Sequence, residues 1–160
     1  MLQPIQSKKI TARGGHFAIV ASRYNARYVD AMLRAAKAEI LRAGGTVRIV
    51  RVPGAYEIPV VAAKLARAAR RAPPAALAAI ICLGVILRGA TTHAQHIGEA
   101  VSNALVQIQI ENEVPVIHEV LLLENEQQAR ERCLDQKHNR GAEAAQTALT
   151  MARVMKSLPA

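Results

Sequence analysis

Apolar residues recur along this chain with two different periods. Residues 16–22, 46–52, 77–83 and 114–122 are continuous β-prone runs, the pattern of strands buried on both faces. Between them the period lengthens. Val29, Met32, Leu33, Ala36 and Ile40 recur at three and four residues, and Gly44-Gly45 closes that helix. Ile97, Val101, Ala104, Leu105 and Ile108 repeat in the same way, and Ala145, Ala148, Leu149 and Ala152 mark one face of a last helix over residues 141–155. Alternation of strand and helix predicts an α/β fold: a four-stranded parallel sheet with helices on both faces, hence a three-layer sandwich.

Right-handed crossovers leave few topologies for such a chain, and a flavodoxin-like arrangement is expected. A length of 160 residues suits one domain spanning residues 1–160, with 1–15 as an N-terminal extension. There is no internal repeat or long linker; Arg71-Ala72-Pro73-Pro74 reads as a short loop. Half the residues are hydrophobic (51%), yet there is no Trp and one Phe, so Ala, Val, Ile and Leu must build the core. The longest apolar run, at 77–87, is about half the ~20 residues that cross a bilayer, and Gly84 interrupts it. It predicts a buried strand and no membrane span. Met1-Leu2-Gln3-Pro4-Ile5 lacks the basic-then-apolar order of a secretory signal, so a cytoplasmic location is expected.

Cys82 and Cys133 form no Cys-x-x-Cys pair and predict two free thiols. The net charge of +9 would suit an acidic partner such as RNA, a membrane surface or a phosphorylated substrate. Its carriers Arg13, Arg34, Arg42, Arg67, Arg70, Arg71 and Arg153 are scattered, without the interleaved aromatics of a single-strand binding platform. Solvated surface accounts for them better than nucleic acid does.

Parallel sheets bind ligands beyond the carboxyl ends of their strands, which selects four loops: Ser22-Arg23-Tyr24-Asn25, Pro53-Gly54-Ala55-Tyr56-Glu57, Arg88-Gly89-Ala90-Thr91-Thr92-His93, and Leu123-Glu124-Asn125. In the third, Gly89 permits a tight turn and two threonines can cap a helix beginning near His93, whose free N–H groups suit a small anion. Neither the phosphate-loop ending nor the dinucleotide fingerprint is present. A capped helix with no ligand explains the same residues. His93 carries an imidazole, the side-chain type that can act as acid and base at neutral pH. His93 and His96 lie one turn apart, but lack the third ligand a metal site needs. His16 and His138 stand in no constellation. Glu57 at a helix start can accept hydrogen bonds from ligand hydroxyls or be an ordinary first-turn acid. Tyr24 can stack on a flat heterocycle or pack in the core. Arg130 and Arg132, in the charged helical segment 126–132, suit either the surface or a phosphate.

Taken together and in order, Val52-Pro53-Gly54-Ala55-Tyr56-Glu57-Ile58-Pro59, Arg88-Gly89-Ala90-Thr91-Thr92-His93, Val114-Pro115-Val116-Ile117, Glu126-Gln127-Gln128-Ala129 and Asn139-Arg140-Gly141-Ala142-Glu143-Ala144-Ala145 resemble lumazine synthase from Phe17 to Met155. The resemblance implies a transferase of riboflavin biosynthesis. It would condense 5-amino-6-(D-ribitylamino)uracil with 3,4-dihydroxy-2-butanone 4-phosphate to 6,7-dimethyl-8-ribityllumazine, releasing phosphate and water, with no metal or redox cofactor. By the family pattern Tyr24 stacks on the ring, Ala55, Tyr56 and Glu57 line the ribityl pocket, and Val85, Ile86 and Leu87 edge the pyrimidine. Ala90 and Thr91 carry the phosphate, His93 transfers protons and Arg132 grips phosphate.

The resemblance also implies a homo-oligomer, a pentamer whose sites lie between neighbours, so that His118 and Arg132 reach the site from an adjacent subunit and residues 1–15 pack on one. No insertion separates 132 from 141, which permits a sixty-subunit shell; riboflavin synthase is a further partner to consider. Three positions depart from the pattern: Tyr24 stands where Phe or Trp is usual, His118 where Phe is usual, and Arg140 where Lys is frequent. Arg140 and Glu143 are expected as neighbours of the site. Rival readings are a member that only binds riboflavin or a related ligand, a phosphate- or nucleotide-binding module, and a basic RNA-binding shell protein.

Overall fold

Continuous apolar runs need cover on both sides, and in the computed structural model, which describes residues 14–71 and 76–159, the runs at His16–Ser22 and Leu77–Leu87 receive it, whereas the edge strand at Thr46–Val52 has only Val52 buried. The order is β1 (His16–Ser22), α1 (Ala26–Arg42), β2 (Thr46–Val52), α2 (Ile58–Arg71), β3 (Leu77–Leu87), α3 (His93–Asn112), β4 (Val116–Leu123), α4 (Glu126–Cys133) and α5 (Arg140–Ser157). The four strands form one parallel sheet in the order β2-β1-β3-β4. This is the expected α/β sandwich.

Alternate side chains of each strand enter different layers. Phe17, Ile19, Ala21, Ile81, Leu83 and Val85 pack with α1, α4 and α5. Ala18, Val20, Ile80, Cys82 and Ile86 pack with α2 and α3. The scarcity of aromatics is met by close backbone approach. A Cβ on Gly141, in the first turn of α5, would lie 2.0 Å from the carbonyl oxygen of Met32, so only glycine lets α5 rest on α1. The α1 helix ends where expected, with Gly44 at φ +76° accepting the left-handed turn.

Two boundaries differ from expectation by two residues or more at a proline or a glycine. The third strand does not stop at 83 but continues to Leu87, because Gly84 is the space into which Val120 Cγ1 and Ile58 Cδ1 close, at 3.1 and 3.3 Å from where a Cβ would be. The fourth begins at Val116 rather than 114; Pro115 has no N–H, and contributes only its carbonyl, which accepts from Ile80 N at 2.8 Å.

Arg34, Arg42, Arg67, Arg70, Arg71 and Arg153 are exposed, and Arg70 Nη1 donates to the Glu111 carbonyl. Both cysteines are buried and unpaired. Burial pushes the Cys82 thiol far up, and burial, with Glu119 adding to it, lifts Cys133 to about 11. Among the described residues no helix is long and apolar enough to cross a membrane. The expectations for the extension before Gly14 and for residues 72–74 of the loop lie outside the described residues, and Arg71 ends α2.

Candidate active site

At the carboxyl edge of the sheet the first three selected loops enclose a cleft of 930 Å³. Its base is the end of β3, where Val85, Ile86 and Leu87 finish the strand past Gly84. From the β1–α1 turn come Tyr24, which is 69% exposed, and Asn25. Asn25 takes the left-handed conformation at φ 56°, which Asn tolerates better than most residues, and its Nδ2 donates to the Val85 carbonyl at 2.7 Å. That bond ties the first loop to the floor.

Gly54, Ala55, Tyr56 and Glu57 form the second wall. Ala55–Glu57 is a separate one-turn 3-10 helix ahead of α2, so Glu57 closes that turn instead of opening the long helix. Its Oε2 accepts from Gly54 N at 2.9 Å, fixing the carboxylate at the cleft.

The third wall is the first two turns of α3. His93, His96, Ile97 and Ala100 share one helical face and all line the cleft. No hydrogen bond to either imidazole ring occurs among the described residues, whereas the rings of His16 and His118 are both bonded within the protein. The capping expectation holds only in part: Thr91 Oγ1 accepts from His93 N at a long 3.4 Å, and Thr92, at the cap position, makes no side-chain cap bond. Ala90 and Thr91 are exposed in the turn joining Leu87 to His93, beside the cleft without lining it. Arg88 Nε meets Glu124 Oε1 at 3.1 Å across that turn.

One chain thus gathers His93, Tyr24, Ala55, Tyr56, Glu57, Val85, Ile86 and Leu87. It does not bring Arg132 or His118 to them. Arg132 is exposed on α4, in the layer across the sheet from α3. His118 pairs with Cys82, five residues before Leu87, so it lies roughly 16 Å down the sheet. Its Nδ1 accepts from Val120 N at 3.1 Å and its Nε2 lies 2.7 Å from Ser102 Oγ. Since Ser102 spends its proton on the Gly98 carbonyl, Nε2–H is the donor to it. Burial lowers the pKa of this ring.

Arg140 and Glu143 also lie away from the cleft. Arg140 Nε and Nη1 each donate at 2.6 Å, to Glu119 Oε1 and Glu143 Oε2. Glu119, 4% exposed on β4, was not anticipated; within a long apolar run its burial depends on the arginine that α5 supplies. Burial works against that arginine's charge, and the two carboxylates outweigh it, raising its pKa. Asn25, Gly54, His96, Ile97 and Ala100 were likewise missed as cleft residues. The spacing of 93, 96, 97 and 100 carried a signal for the last three.

A flavodoxin-like α/β sandwich with a concave site at its carboxyl edge, holding aromatic rings, a fixed carboxylate and two open imidazoles, defines a small-molecule enzyme of the α/β class. The model of one such family, 6,7-dimethyl-8-ribityllumazine synthase, matches residues 14–156, and the chain belongs to that family. A protein of that name from Aquifex aeolicus is 40% identical over 157 residues, 96% of this chain and 98% of its own length. One from Stenotrophomonas maltophilia is 36% identical over 152 residues, 93% and 94% of the two chains. A third, from Xylella fastidiosa, is 39% identical over 149 residues, 91% and 93%.

Proposed function

We propose that this chain condenses 5-amino-6-(D-ribitylamino)uracil with 3,4-dihydroxy-2-butanone 4-phosphate to 6,7-dimethyl-8-ribityllumazine, the transferase step its family is named for. The observation that carries this is the meeting of Tyr24, Glu57 and His93 in one cleft of a chain from that family. Tyr24 stacks on the pyrimidine, with Val85, Ile86 and Leu87 along its edge. Ala55, Tyr56 and the fixed Glu57 carboxylate receive the ribityl hydroxyls. Ala90 and Thr91, at the start of α3, hold the phosphate, where N–H groups and the helix dipole favour an anion. His93 moves protons beside it.

The steps are imine formation, phosphate elimination and ring closure, none of which transfers electrons to or from an external acceptor, so no redox cofactor is called for. Alignment of two substrates supplies much of the acceleration.

The chain acts as a single domain in a cytoplasmic homo-oligomer, a pentamer with a sixty-subunit shell permitted. Arg132 and His118 serve a neighbour's cleft, with Arg132 gripping phosphate. Their distance from His93 within one chain supports a site shared between subunits. Riboflavin synthase is a candidate partner downstream.

Purified protein mixed with both substrates should form lumazine faster than a protein-free control. Equal rates defeat the proposal.

A further inference from the structure

His96 is left over by this assignment. Like His93 it lines the cleft, three residues on along the same face of α3, which sets the two about 4.5 Å apart along the helix axis. Neither ring is held by another group among the described residues, unlike those of His16 and His118. Facing the cleft with it are Tyr24, Tyr56, Glu57 and His93; on α3 the nearby Glu99 is engaged by Gln95 Nε2 at 2.8 Å. The Glu57 carboxylate is already bonded to Gly54 N. Among the described residues, the two imidazoles are therefore the cleft side chains left with ring nitrogens open to accept and donate protons.

The proposed reaction gives two such groups separate work. In imine formation the amine nitrogen adds to the carbonyl carbon. Its two protons pass to the oxygen, the C–O bond breaks as C=N forms, and water leaves. In elimination a base takes the proton on the carbon beside the imine. That electron pair becomes a C=C bond as the next carbon's bond to phosphate oxygen breaks. The first transfer is at the carbonyl oxygen, and the second is at the neighbouring carbon, one bond nearer the phosphate. His93 adjoins the Ala90-Thr91 turn, and His96 stands one turn further from it.

Resting on the proposed condensation, we infer that His96 is a second proton-transfer residue, relaying the amine protons to the departing carbonyl oxygen while His93 serves elimination at the phosphate end.

The test measures initial rates with both substrates at saturation, across about pH 5.5 to 8.5, the range in which imidazole titrates. The proteins compared are wild type, His96→Gln, His96→Asn and, as a control outside the cleft, His138→Gln. The two His96 variants should lose about tenfold or more in kcat, at the low end of general acid–base effects, with KM within about twofold. They should also lose one ionisation from the kcat profile, while His138→Gln matches wild type. A wild-type kcat and profile in both His96 variants overturns the inference, as does a loss confined to KM. Wild-type protein no faster than the protein-free control would instead defeat the parent proposal.

Discussion

Gly54 and the Tyr24 ring are in such close contact that a Cβ at 54 would meet Tyr24 Cδ2 at 2.9 Å and Glu57 Oε2 at 3.0 Å. The backbone there is extended, at φ −131°, so any residue could adopt it. Gly54→Ala should therefore act by pushing the ring and the carboxylate out of place. A rise in KM for the pyrimidine substrate of about tenfold, equivalent to ~1.4 kcal/mol, is expected with the melting temperature nearly unchanged. An unaltered KM would mean that the position of Tyr24 has no bearing on binding.

Asn25 holds the same wall by a different means, combining a left-handed backbone with the bond to the Val85 carbonyl. Asn25→Gly keeps the backbone and gives up the bond; Asn25→Ala forfeits both. In urea titrations the Ala variant should be less stable than the Gly variant by about 1 kcal/mol, the cost of a Cβ in that conformation. The reverse order would show that backbone geometry is not the constraint.

Substitutions at two glycines in helices should have opposite outcomes. Gly141→Ala would drive its methyl into the Met32 backbone, which cannot rotate away, and should cost about 3 kcal/mol or prevent folding. Gly98→Ala, within α3, meets nothing nearer than Leu122 at 3.5 Å and should stabilise by about 0.5–1 kcal/mol. Thermal melts and soluble yields compare the two.

His118 should make stability fall in mild acid. Its Nδ1 accepts from Val120 N, and burial lowers its pKa below the ordinary value near 6.5. Between those two values the unfolded chain binds more protons than the folded one. The stability this ring contributes is complete above about pH 6.5 and is lost as pH falls through the window below. Denaturant midpoints at about pH 7.5 and 5.5 should drop less in His118→Phe than in wild type. Identical drops would assign the acid sensitivity elsewhere.

A shared site predicts complementation. His93→Ala should lose rate while still assembling, and Arg132→Ala should mainly weaken binding of the phosphorylated substrate. Unfolded together and refolded as mixed oligomers, the two should regain activity above either parent, because some clefts then pair an intact His93 with a neighbour's intact Arg132. Sedimentation as a stable monomer, or no recovery on mixing, would count against a site between subunits.

Several features follow from local chemistry and were legible in the order of residues. Short β-prone runs bounded by turn residues read as strands, and β1 and β2 begin and end at the expected residues. Gly44 stops α1 because its own backbone freedom permits the turn. The rule that ligands gather at strand carboxyl ends, joined to the family resemblance, selects the loops bearing Tyr24, Glu57 and His93 from the sequence. What packing alone decided involves partners distant in sequence. Gly84 interrupts the apolar run in the sequence, and in the fold Ile58 and Val120 close over it. Glu119 is tolerable inside an apolar strand only because Arg140, on another element, turns toward it. The period of α3 puts His93, His96, Ile97 and Ala100 on one face, but the rotation of that helix against the sheet determines whether the face meets the core or the cleft. Periodicity records which residues travel together; the direction they face depends on the contacts of the folded chain.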